Sequence, residues 1–84
     1  MPALLIVDHL PPQLSNEELA ALFQPLATVR FARIVRDTRG QSLGFGFVEV
    51  ESDGQANEAI VKLNGYEVRG HHITVAIPAS SAPK

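Results

Sequence analysis

Residues 43–50 read Leu-Gly-Phe-Gly-Phe-Val-Glu-Val, and this octapeptide constrains the fold more than any other stretch. Its period-two alternation makes it a strand, with Gly44, Gly46, Val48 and Val50 on one face and Leu43, Phe45, Phe47 and Glu49 on the other. Glycine weakens a strand and is kept where another element approaches closely. The small face therefore suits the side that packs against helices, and Phe45 and Phe47 project from the opposite side. The alternative puts the rings in the core and the glycines toward solvent. A Gly-x-Gly on a solvent face would give up strand propensity without return, which favours the first arrangement.

The flanking segments supply the partners. Ala3–Val7 is an apolar run ended by Pro11-Pro12, and reads as a buried strand. A helix starts at Ser15, with Glu18 as capping-box partner and Leu14 and Leu19 at the staple positions. Leu19, Leu22, Phe23 and Leu26 recur at helical spacing, and Pro25 sets the end near Gln24. Val29–Arg36 reads as a strand. The turn-rich Asp37–Ser42 connects it to residues 43–50, and a link this short makes the pair antiparallel. A second helix starts at Ser52 with Gln55 as capping-box partner, buries Ala56, Ala59, Ile60 and Leu63, and ends at Asn64-Gly65. A last strand covers His72–Ile77, closed by Pro78.

The order β-α-β-β-α-β is that of an α+β, ferredoxin-like fold with a four-stranded antiparallel sheet. The 84 residues allow one domain, expected over residues 1–77, with 78–84 as a flexible C-terminal tail of small and polar residues. Right-handed crossovers put both helices on one face. Two helices ~10 Å wide cover roughly the ~19 Å width of four strands, so the other face stays open. Two phenylalanines exposed on a central strand mark that face as a binding surface.

With these elements in place, the chain resembles the RNA recognition motif family. That family's octapeptide is Lys/Arg-Gly-Phe/Tyr-Gly/Ala-Phe-Val-x-Phe/Tyr. Gly44 to Val48 match it, while Leu43 and Val50 depart from it at the two ends. Leu5-Ile6-Val7-Asp8-His9-Leu10 is similar to the family's first-strand hexapeptide, with Ile6 at the usual aromatic position and His9 at the usual asparagine. The likeness runs from about Leu4 to Ile77 and takes in Leu19-x-x-Leu22-Phe23, Asp37, Ala56, Asn64-Gly65 and Gly70. It implies single-stranded RNA, or in some cases DNA, laid across the open sheet with bases stacked on strand aromatics. Phe47 is then the stacking platform, and Phe45 packs against a sugar or a second base. Ile6 offers apolar contact without a π face. Leu43 lacks the phosphate partner of the usual basic residue.

Charge gives the main objection. Seven basic residues against nine acidic leave a net charge of −2, whereas phosphate binding favours a basic surface. The distribution answers it in part. Arg30, Arg33, Arg36 and Arg39 fall within ten residues that hold a single acid, Asp37, while Glu17, Glu18, Asp53 and Glu58 lie on the helices. With Val29, Ala32 and Ile34 in the core, Phe31, Arg33 and Val35 share the open face. Arg33 is then placed to reach a phosphate or stack on a base, and Arg36 and Arg39 flank the loop. The alternative is a solvated strand with pairing to Glu49. Asp8 also points to the open face, where a carboxylate repels phosphate but can accept from a base amino group such as that of cytosine. His72 and Thr74 are expected on the open face of the last strand as hydrogen-bonding neighbours of a base. His9 and His71 read as loop or strand-end residues.

Several classes are excluded or disfavoured. Without cysteine there is no disulfide or thiolate metal site, and three histidines in three segments do not make a zinc site. No nucleophile turn, phosphate loop or dinucleotide loop is present, so no cofactor is expected and the chain does not read as an enzyme. A ferredoxin-like enzyme acting on acyl phosphates would need a constellation that is missing. No apolar run spans a bilayer and no basic signal start precedes the first strand, which makes a soluble cytoplasmic domain the expectation. The rival to RNA binding is a protein-interaction or dimerisation module, because Ile6, Phe31, Val35 and Leu43 make the same face unusually apolar.

Overall fold

The computed structural model describes residues 2–78. Its elements are β1 (Ala3–Asp8), α1 (Asn16–Phe23), β2 (Val29–Arg36), β3 (Ser42–Val50), α2 (Asp53–Leu63), β4 (Glu67–Val68), β5 (His71–His72) and β6 (Thr74–Ala76). The expected tail lies, beyond Pro78, outside the described residues. Four strands form one antiparallel sheet in the order β2-β3-β1-β6, the ferredoxin-like arrangement. Among the described residues, no helix is long and apolar enough to cross a membrane.

One face of each strand makes the core. Leu5 and Val7 of β1, Ile34 of β2, Val48 and Val50 of β3 and Val75 of β6 pack with Leu19 and Phe23 of α1 and with Ala56, Ala59 and Leu63 of α2. The helices therefore share that face. Phe45 and Phe47 are only half-buried on the other, while Gly46, Val48 and Val50 are buried, so the orientation with rings outward is the observed one.

The two glycines of β3 serve different ends, neither of them the helix approach expected from the alternation. A Cβ on Gly46 would come within 2.4 Å of the Arg33 carbonyl oxygen, so the close neighbour is the backbone of β2. Gly44 has open space around it but a φ of +88°, which L side chains rarely adopt. The register shifts here: Ile34 pairs with Gly46 but Arg36 pairs with Ser42, and Gly44 takes up the bulge.

Both helix starts are capped, in different ways. The Ser15 hydroxyl accepts from the Glu18 N–H at 3.1 Å, and the Glu18 carboxylate accepts from the Ser15 N–H at 2.9 Å. The reciprocal box is complete there. At α2 only half of it forms, since Ser52 Oγ accepts from the Gln55 N–H at 3.2 Å but Gln55 Oε1 accepts from the Thr28 N–H at 2.9 Å. The glutamine satisfies a loop donor ahead of β2 instead of its own cap.

A small hairpin interrupts the expected last strand. β4 pairs only with β5, through a two-residue turn in which Arg69 and Gly70 both have positive φ, the backbone that such hairpins require. The last sheet strand consequently starts at Thr74, and His72 belongs to the ribbon, opposite Glu67. Arg69 forms an ion pair with Glu18, tying the hairpin to the start of α1. The Glu18 carboxyl is held below its usual range, chiefly by the Ser15 N–H, which outweighs an opposing effect of desolvation, and further by Arg69. A lowered folded pKa contributes stability that is present above the unfolded value of about 4.3 and is lost as pH falls through the folded value. Thermal melts from about pH 5 to pH 3 should therefore show a steeper acid loss in the wild type than in Glu18→Gln, which retains a capping side chain. Equal slopes would contradict this.

Candidate nucleic-acid interface

Strand register arranges the open face in transverse rows. The central row runs Ala76–Ile6–Phe47–Arg33 across all four strands, each residue paired with the next. One row below, Leu4 and Phe31 flank Glu49. One row above, Asp8 pairs with Thr74, while Phe45 stands on β3 one step beyond the Val7–Gly46 pair. The alternation of β1, β2 and β3 thus brings Ile6, Asp8, Phe31, Arg33, Phe45, Phe47 and Thr74 onto one surface.

The two β3 rings meet edge to face, with centroids 6.2 Å apart and planes at 82°. One flat base cannot stack on both. The pair suits one stacked base with the second ring against its neighbour or its sugar. Arg33 and Phe47 also line a shallow recess with Asn16, Val35 and Arg36 at the β2 edge of the sheet. Among the described residues Arg33 has no ion-pair partner, and the pairing with Glu49 does not form. Glu49 stands opposite Phe31, and the acid that takes a β2 arginine is Glu51, 3.4 Å from Arg30 at the bulge.

Arg36 is not part of the open-face strip. Its guanidinium donates to the carbonyls of Gly40 at 3.2 Å and Leu14 at 3.4 Å, so it braces the β2–β3 turn against the segment before α1. Arg39 is exposed in that turn, its backbone N–H held by Asp37 Oδ1 at 2.9 Å. His72 is removed from the sheet strand, and its Nδ1 lies 3.1 Å from the Gly65 carbonyl oxygen.

His9 is the residue whose part the sequence did not reveal. It leaves β1 with φ of +61°, its N–H donates to Asp8 Oδ1 at 2.9 Å, and its Nδ1 lies 3.1 Å from Thr74 Oγ1. Its position, where the related hexapeptides carry asparagine, was the available signal, since asparagine tolerates the left-handed region. Leu4 is a further exposed apolar residue on this face, legible from the same alternation as Ile6.

The sequence profile of the RNA recognition motif matches residues 5–74, most of the chain. The chain belongs to the RNA recognition motif family. Among its relatives is the chloroplastic RNA-binding protein CP31B of Arabidopsis thaliana, 40% identical over 98% of this chain and 29% of that protein. Solved RNA recognition motifs superpose closely. The two-domain structure of sex-lethal from Drosophila melanogaster matches with a TM-score of 0.86 at 37% identity, covering 93% of this chain and 52% of that one. A sex-lethal protein–RNA complex matches with a TM-score of 0.88 at 35% identity, over 93% of this chain and 47% of that one. This RNA recognition motif spans under a third of the length of the curated relatives it matches.

Proposed function

We propose that the open sheet face binds single-stranded RNA, with Phe47 as the stacking platform between Ile6 and Arg33. The observation that carries the reading is the central row, in which an aromatic ring, an aliphatic side chain and an arginine without an ion-pair partner among the described residues lie side by side on the face opposite α1 and α2. Phe45 and Phe31 extend the apolar surface on either side. Thr74 and Asp8 supply hydrogen-bonding groups, Arg33 supplies positive charge on the face itself, and Arg36 and Arg39 supply it beside the face at the β2–β3 turn. The kinship with a protein solved in complex with RNA supports the same reading. The module binds and does no chemistry of its own.

Affinity should be modest, because an isoleucine stands at one stacking position and a leucine at the phosphate-pairing position. Roughly three to four phosphate contacts on a single strand give a slope of log K against log salt of about −2 to −3. Titration with short random single-stranded RNAs at low salt, repeated over a salt series and with the DNA equivalents, tests both points. Binding with that slope supports the proposal, and no binding at low salt overturns it. Leu43, 53% exposed, and Leu4, 41% exposed, favour a second copy of the chain as a competing occupant of this face. Sedimentation over a range of concentrations distinguishes the two.

A further inference from the structure

Asp8 stands at the corner of the open face where β1 meets β6, paired with Thr74 and one step beyond the Val7–Gly46 pair, on the side where Phe45 follows Gly46 on β3. An exposed carboxylate on a surface for a polyanion weakens binding unless the RNA brings a donor to it. Its orientation is fixed. The left-handed turn at His9 folds that residue's N–H back onto Asp8 Oδ1 at 2.9 Å, and His9 Nδ1 is held by Thr74 Oγ1 at 3.1 Å. A carboxylate has about four lone-pair sites. The His9 N–H takes one of them, so both oxygens still have acceptor capacity, at a place where a base beside Phe45 would present its edge.

The chemistry of the four base edges then decides the ligand. Single-stranded RNA is read on Watson–Crick and Hoogsteen edges, and two adjacent donors occur only on a Watson–Crick edge. Guanine presents two adjacent donors there, N1–H and the N2 amino group, matching the two oxygens of a carboxylate. Cytosine and adenine present one amino group beside a ring nitrogen that would face the second oxygen. Uracil presents one N–H between two carbonyls. We infer that Asp8 is a specificity-determining residue that selects guanine at the base position beside Phe45, through N1–H and the N2 amino group. This rests on the RNA-binding reading of the face.

The test uses short oligouridylates with guanine walked through each position, and with inosine replacing guanine at the best one. Binding is read by fluorescence anisotropy for the wild type and Asp8→Asn. A bidentate contact corresponds to a factor of about 5 to 150 in affinity. Guanine at one position should therefore tighten binding about tenfold over uridine. Inosine lacks the N2 amino group and should lose most of that gain. Asp8→Asn, whose amide can still accept from the His9 N–H, should bring the guanine-to-uridine ratio close to one. Oligomers that bind without a guanine advantage, or an advantage that survives inosine or Asp8→Asn, would overturn the assignment and leave the RNA-binding reading intact. Failure of every oligomer to bind would overturn that reading and the assignment with it. The inosine comparison needs no variant and holds whether or not Asp8→Asn folds.

Discussion

Replacing Gly46 with alanine should destabilise the domain by about 2 kcal/mol or more, although it adds a single methyl group. The new Cβ would lie 2.4 Å from the Arg33 carbonyl oxygen and 3.0 Å from the Ile34 Cα. Both are backbone atoms of the paired strand, so no side chain can swing away, and β2 itself must shift. That strand carries Phe31 and Arg33, and its amide at Ile34 is held by Asn16 Oδ1 at 2.8 Å. For a domain of this size the loss corresponds to a melting point lower by roughly 10 °C. Gly54, in the first turn of α2, is the internal contrast. Its Cβ would meet only Ser52 Oγ at 3.9 Å, so Gly54→Ala should leave the melting point unchanged or raise it slightly. Thermal melts of the two variants side by side check the claim, and a Gly46→Ala melt equal to wild type would contradict it.

Phe47→Ala should do the opposite, sparing the fold and removing binding. The ring faces away from the core, which lies on the Gly46 and Val48 side of β3, so stability should fall by no more than ~1 kcal/mol, the span of strand preference. Stacking is worth ~1–3 kcal/mol per base, so affinity for single-stranded RNA should drop by about 5- to 150-fold. Phe45→Ala should cost less, because the perpendicular rings leave one principal stacking face. Anisotropy titrations with the melts as controls test this. Equal affinities for Phe47→Ala and wild type would show that Phe47 is not the stacking platform.

The strand that carries both rings was readable from its own period, as were the cap of α1 and the division of β1 into core and open residues. What escaped depends on partners distant in sequence. The fit of Gly46 against β2 is a matter of register, and the role of Gly44 follows from a bulge that only the pairing with β2 reveals. Arg36 looks like one more cation in a basic run, but the carbonyl of Leu14 lies 22 positions away and turns it into a brace. Gln55 has the spacing of a capping-box partner, and the Thr28 amide, brought near by the fold, draws it off. The β4–β5 hairpin has arms of two residues, too short for any alternation. Its turn places an arginine in a backbone region where glycine or asparagine is the usual sign, with Glu18 as the ion-pair partner. That hairpin is why His72 left the sheet while Thr74 stayed on it.

The face opposite the helices, organised around the Ile6–Phe47–Arg33 row, is the proposed seat of single-stranded RNA. A chemical-shift map of the 15N-labelled domain titrated with short single-stranded RNAs tests it most directly. The largest perturbations should fall on Ile6, Asp8, Phe31, Arg33, Phe45, Phe47 and Thr74, with the outer surfaces of α1 and α2 quiet. Perturbations concentrated on the helices, or none at saturating RNA, would contradict it.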